Sequence, residues 1–153
     1  MNINVKLTSK TGTLPTKAHA TDAGYDVYAD EDVVLKVGKP ITIKLGFAIE
    51  IPEGYFGDLT GRSGLSSKTN FRVKRGIIDH GYTEEVRVMA ELYPFELVDE
   101  EQGSVRISSN YEVKKGDRIG QLIIRELPST TLVVSDSLAD AERGNNGFGS
   151  TGV

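Results

Sequence analysis

Apolar positions along this chain come in short runs separated by glycine, proline and charge. Ile3, Val5 and Leu7 alternate with polar residues. Val33-Val34-Leu35, Ile41-Thr42-Ile43 and Phe47-Ala48-Ile49 are compact β-branched or aromatic runs. Val86, Val88, Ala90 and Leu92 alternate with Arg87, Met89 and Glu91, and further runs cover 119–124 and 132–134. A period of two and short bounded runs are strand signals, and the spacing of Gly and Pro leaves little room for long helices. The pattern predicts an all-β domain: a sandwich, jelly roll or barrel of many short strands. Residues 83–93 also fit a helical spacing, but period two fits as well and a Gly-Tyr turn precedes them, so a strand is preferred. Residues 63–69 are expected to form the one short helix, and 135–143 to hold a turn of helix. Around the acidic stretch Asp99-Glu100-Glu101-Gln102-Gly103, residues 95–98 and 104–107 read as an extra β-hairpin.

Composition narrows the function more than the fold. With 153 residues, 38% hydrophobic and 26% charged, the chain is long enough for a single folded domain with a proper core. A net charge of -4 argues against a duplex nucleic-acid binder, which needs a basic face, but not against a small nucleotide ligand. The absence of cysteine excludes disulfides, a thiolate nucleophile and a thiolate zinc site, and His19 and His80 alone cannot build a histidine-rich metal centre. No apolar run approaches a membrane span and the N-terminus lacks a signal-peptide core, so the expected location is the cytoplasm.

Five segments carry candidate chemistry. Ala23-Gly24-Tyr25-Asp26-Val27 places a carboxylate on a strand after a glycine. Gly61-Arg62-Ser63-Gly64-Leu65-Ser66-Ser67-Lys68 gathers a guanidinium and hydroxyls at a helix start, either an anion site or a plain helix cap at Ser63. It lacks the spacing of a Walker loop. Gly76-Ile77-Ile78-Asp79-His80-Gly81-Tyr82 reads as strand, tight turn, strand. Its backbone is open to a base edge and Asp79 stands beside the opening, although an Asp next to Gly is also an ordinary turn residue. Lys115-Gly116-Asp117-Arg118-Ile119-Gly120-Gln121 puts Gln121 at the start of an apolar strand, where it caps a loop or donates to a phosphate. The last segment, 143–153, holds Arg143, Phe148, four glycines and two hydroxyls. It cannot build a core. It is either a flexible terminus or a lid, with Arg143 for phosphate, Phe148 for a base, and glycines that let backbone N–H groups approach.

These segments, in this order, resemble the five motifs of the trimeric deoxyuridine triphosphatase (dUTPase) family, over about 15–152. The motifs are matched by Ala23-Gly24-x-Asp26, by Arg62-Ser63-Gly64-Leu65, by Gly76-Ile77-Ile78-Asp79-x-Gly81-Tyr82, by Gly116-Asp117-Arg118-Ile119-Gly120-Gln121, and by Arg143-Gly144-x-x-Gly147-Phe148-Gly149-Ser150-Thr151-Gly152. The chain departs from the family pattern at Asp22, at Gly61 (usually Pro), at Val73 (often Asn), at Thr83-Glu84-Glu85 after Tyr82, and in a longer 94–109 segment.

The resemblance implies a dUTPase-like jelly roll (β-clip type), assembled as a homotrimer whose C-terminal tails are exchanged between subunits. The division it implies is a domain at 1–142, an insert hairpin at about 94–109 and a flexible lid at 143–153. The implied reaction is hydrolysis of dUTP to dUMP and pyrophosphate by water attack on the α-phosphorus, which keeps uracil out of DNA and supplies dUMP. By resemblance Asp79 is the general base. Arg62, Ser63, Gly64 and Gln121 hold the phosphates. The Gly76, Ile77 and Ile78 backbone reads uracil, and Tyr82 packs on the deoxyribose. Arg143, Phe148, Gly149 and Ser150 close over the substrate. Mg²⁺ is implied by the triphosphate, and Asp26 is expected to meet it only through water. Two other readings remain: a dCTP deaminase or bifunctional relative on the same fold, and a nucleotide-controlled binding protein whose regulatory partner docks on the 94–109 insert.

Overall fold

The computed structural model describes residues 1–94, 110–137 and 139, and the backbone of 96–99 and 104–107. The chain is built of short strands, in order β1 (Val5–Leu7), β2 (Tyr25–Tyr28), β3 (Val33–Lys36), β4 (Ile41–Lys44), β5 (Phe47–Ile49) and β6 (Tyr55–Thr60). Helix α1 (Ser63–Lys68) follows, then β7 (Phe71–Val73), β8 (Gly76–Ile78), β9 (Arg87–Leu92), β10 (Glu96–Asp99), β11 (Ser104–Ile107), β12 (Asn110–Val113) and β13 (Arg118–Glu126). Every ladder between these strands is antiparallel. Among the described residues, no helix is long and apolar enough to cross a membrane.

The largest sheet runs β2-β13-β6-β8 and a second runs β4-β9-β7, with two-stranded pairs β1-β5, β3-β12 and β10-β11. β9 shows why the alternating stretch is a strand. Val88, Ala90 and Leu92 are buried while Arg87 and Met89 face out, a period of two along its length. β5 is buried throughout, as a compact apolar run implies. The core collects Leu35, Ile43, Phe47, Phe71, Val88 and Leu122, each at most 1% exposed.

Two sequence expectations need correction. β8 and β9 do not form a hairpin: β8 pairs with β6, whereas β9 pairs with β4 and β7 in the other sheet. The chain turns sharply after β8 and then crosses between sheets. Leu132, Val133 and Val134 form no strand and are 98%, 81% and 98% exposed, and among the described residues no strand pairs with them. Of the expected helical turn at 135–143, Ser135 to Ser137 make a hydroxyl-braced bend. The rest of that expected turn lies outside the described residues, as do Arg143, Phe148, Gly149 and Ser150 of the expected lid.

Candidate active site

The β2-β13-β6-β8 sheet carries the candidate chemistry at its two ends. At one end Asp26, Gln121 and Thr60 lie side by side across β2, β13 and β6. Two residues beyond Thr60 stands Arg62. Its Nε donates to Asp26 Oδ1 at 2.8 Å and its Nη2 to Oδ2 at 3.4 Å, while Arg118 Nη1 reaches the same Oδ2 at 3.3 Å. Asp26 is only 8% exposed, so it is a buried carboxylate held between two guanidinium groups. That pairing is what makes its burial tolerable. The consequence is local excess of positive charge, with one guanidinium, that of Arg62, held in a fixed orientation.

Ser63 and Gly64 follow at the start of α1. Both are exposed, and the residue at the cap position is Arg62, in extended backbone and with no side-chain cap bond. Ser63 is therefore not the helix cap. A Cβ added at Gly64 would meet nothing within 4 Å, so packing inside this chain does not demand glycine there.

At the opposite end of the sheet, Gly57 of β6 pairs with Ile78, the last residue of β8. Asp79 comes next and is exposed. The amide of Tyr82 donates to the Asp79 carbonyl at 3.2 Å, closing a four-residue turn. Gly81 takes φ +88 within it, a conformation that side-chain-bearing residues avoid. Leu59, Gly76, Ile77, Ile78, Tyr82, Val86 and Arg87 line a pocket of about 190 Å³. Gly76, Ile77, Ile78 and Tyr82 are thus brought together as expected. Ile78 faces the core at 5% exposed, and Tyr82 Oη donates to the Glu85 carbonyl at 3.1 Å. Leu59, Val86 and Arg87 were not anticipated, since they lie on neighbouring strands and only the fold joins them to the turn. A larger cavity, about 470 Å³, sits elsewhere, lined by residues such as Ile3, Val5, Leu14, Tyr25 and Ile124, and carries none of the candidate acids.

The two ends are not close. Antiparallel register puts Asp79 level with Phe56, four residues before Thr60, and Arg62 lies further on. Four residues of strand span about 13 Å. One chain does not set Asp79 beside Arg62 and Gln121.

Residues 10–93, more than half of the chain, match the family model described as dUTPase. The deoxyuridine 5'-triphosphate nucleotidohydrolase of Saccharomyces cerevisiae is 35% identical over 151 residues, covering 98% of this chain and 94% of the relative. The chain belongs to the dUTPase family. A solved dUTPase of Staphylococcus bacteriophage 80alpha, in complex with dUPNHPP, superposes with a TM-score of 0.86 at 35% identity and covers 99% of both chains. The dUTPase of phage phi11 of S. aureus, solved as a point mutant that reveals coordination of a structural Mg(II) ion, gives 0.78 at 32% identity, covering 92% of this chain and all of that one. The fold is accordingly the dUTPase jelly roll, and the deaminase alternative is not favoured.

A metal ion for a dUTPase must be judged against the residues present. Among the described residues no cluster of three or more His, Cys, Asp or Glu could hold one. Both oxygens of Asp26 are occupied by arginine N–H groups, which leaves it unsuited to bind Mg²⁺ directly. A dedicated protein cage does not fit the described residues. An ion carried in on triphosphate oxygens does.

Proposed function

We propose that the chain hydrolyses Mg²⁺-bound dUTP to dUMP and pyrophosphate at sites shared between the subunits of a homotrimer. The observation that carries this reading is the separation of the two half-sites in one chain. A general base must come within hydrogen-bond reach of the water it activates, directly or through one more water. Asp79 meets that condition only if the phosphates it serves are held by Arg62, Ser63, Gly64 and Gln121 of another copy. The exposed Leu132-Val133-Val134 stretch supports assembly as well, since a second copy can cover it.

Uracil enters the pocket beside β8, where the Gly76 to Ile78 backbone offers donors and acceptors to its edge. Tyr82 packs on the deoxyribose and leaves no room for a 2′-hydroxyl. Hydrogen-bond readout of this kind rejects a base with the wrong donor pattern. Arg62, oriented by Asp26, and the open backbone at Ser63 and Gly64 hold phosphate oxygens together with Gln121. Asp79 takes a proton from a water lined up with the α-phosphorus. The new bond joins that water oxygen to the α-phosphorus, the bond from the α-phosphorus to the α,β-bridging oxygen breaks, and pyrophosphate leaves; a Mg²⁺ ion on the triphosphate would offset the charge on its oxygens. Positioning and charge do most of this work. The tail 143–153 closes the site, with Arg143, Gly149 and Ser150 on phosphate and Phe148 on the base, and is exchanged between subunits. The domain proper is 1–142 and the compartment is the cytoplasm. A regulatory partner on the β10-β11 hairpin of the insert is not supported by the described residues.

The test is product analysis with dUTP, dCTP, dTTP and UTP side by side. The expected result is dUMP and pyrophosphate from dUTP, with the other three turned over far more slowly. Ammonia from dCTP would move the chain to the deaminase reading, and equal turnover of UTP would remove the role given to Tyr82.

A further inference from the structure

We propose that His80 is a positioning residue for the reaction: its imidazole pins the turn that carries Asp79. The inference rests on the reading of Asp79 as the base. His80 Nδ1 lies 2.7 Å from the carbonyl oxygen of Ile51, 29 positions earlier in the chain. A carbonyl only accepts, so Nδ1 carries the hydrogen and donates. Ile51 is fixed: its side chain is fully buried, and its neighbour Pro52 accepts the Tyr55 amide in the turn that leads into β6.

The anchor matters because of what surrounds it. β8 is held by β6 up to Ile78, and the chain is next tied to the fold at Glu85 and Val86, through Thr8 Oγ1 and the Phe47 carbonyl. Between them the 79–82 turn is exposed and closed on itself by the Tyr82 amide. Among the described residues, the His80 to Ile51 bond is the hydrogen bond by which this turn reaches outside the 79–85 segment. Asp79 is the residue next to it. A base displaced by about an ångström loses on the order of a hundredfold in rate. The uracil-reading backbone of 76–78 is secured separately by β6, and the Tyr82 hydroxyl by Glu85. His80 therefore serves turnover rather than binding.

The experiment compares His80→Ala, His80→Asn and His80→Gln with wild type and Asp79→Asn, measuring kcat, KM for dUTP and the melting temperature. The Asn amide can place an N–H near the position of Nδ1, whereas the Gln amide extends past it. His80→Ala and His80→Gln are expected to lower kcat about ten- to a hundredfold, with KM within about twofold and melting nearly unchanged. His80→Asn should recover most of the lost turnover. If His80→Ala folds poorly, the contrast between Asn and Gln still decides. A kcat within about twofold of wild type for His80→Ala, or equal losses in Asn and Gln, overturns the proposal. Near-normal turnover in Asp79→Asn overturns the base assignment itself, whereas an inactive Asp79→Asn beside a fully active His80→Ala overturns only the role of His80.

Discussion

Asp79 and Asp26 were both visible in the sequence as carboxylates beside glycines, and the structure gives them opposite surroundings. Asp79 is exposed on a turn, free to meet a water; Asp26 is buried and shared by Arg62 and Arg118. Asp79→Asn keeps the shape and removes the proton acceptor. Its turnover should fall ~10²–10⁴-fold with dUTP affinity largely kept, measured by steady-state kinetics and by calorimetry with a non-hydrolysable analogue. Asp26→Asn acts one step away. It leaves the cations but removes the charge that orients Arg62, so kcat/KM should drop roughly ten- to a hundredfold, with much of the loss in KM. An Asp26→Asn enzyme with unchanged KM would mean that Arg62 does not need that partner. The sequence showed each of these residues, but not that they touch. Asp26, Arg62 and Arg118 are brought together by strand pairing between β2, β13 and β6, a long-range fact that local patterns do not contain.

Strands differ in how plainly they announce themselves. β4, β5, β9 and β13 were legible because their apolar positions alternate or cluster. β6 was not. Its sequence, Tyr55-Phe56-Gly57-Asp58-Leu59-Thr60, places a glycine and an acid where a central strand needs buried residues. Both are explained by neighbours. A Cβ at Gly57 would come within 3.0 Å of Leu122 and 3.1 Å of Ile78, so a side chain there would have to push its core neighbours aside. Asp58, 3% exposed, accepts from Arg75 Nε at 2.7 Å and Nη2 at 3.1 Å, and from Arg125 Nε at 2.7 Å. One carboxylate thereby ties β6 to β13 and to the residue before β8.

The hydrogen bond from Arg75 holds the Asp58 carboxyl below its usual range, helped by Arg125 and opposed by burial. A depressed carboxyl adds stability above the unfolded-state value, ~3.9, and that contribution is lost as pH falls from there through the folded-state value. Asp58→Asn should cost about 1–3 kcal/mol at neutral pH, since the freed arginines are half-exposed and rehydrate. It should also flatten the fall in stability below about pH 4. Chemical denaturation of both proteins across acid pH checks this. Parallel acid limbs would show that another group controls them.

At the scale of the assembly, the all-β class followed from hydrophobic periodicity, whereas the argument for the proposed trimer appears only in space. The turn bearing Asp79 and the clamp around Arg62 lie at opposite ends of one sheet, and the apolar stretch at 132–134 has no cover of its own. Both observations point to sites completed by other copies, and the prediction follows from counting what each chain can give. A chain with Asp79→Asn supplies an intact clamp and an intact tail but no base. A chain cut before Arg143 supplies base and clamp but no tail. Each alone should be nearly inactive. The cut should leave the proposed trimer and its melting almost unchanged, because residues 1–142 keep the described core. If base and tail came from one chain, no mixture of these two could hold both in one site, and mixing would restore nothing. If they come from different chains, co-refolded mixtures contain sites with both, and activity should return to a sizeable fraction of wild type. It should peak where the two chains are comparably represented and vanish at either extreme. The measurement is dUTP turnover across mixing ratios, with tagged chains to verify that mixed trimers formed. Verified mixed trimers without activity would return the tail to the subunit that carries its own base.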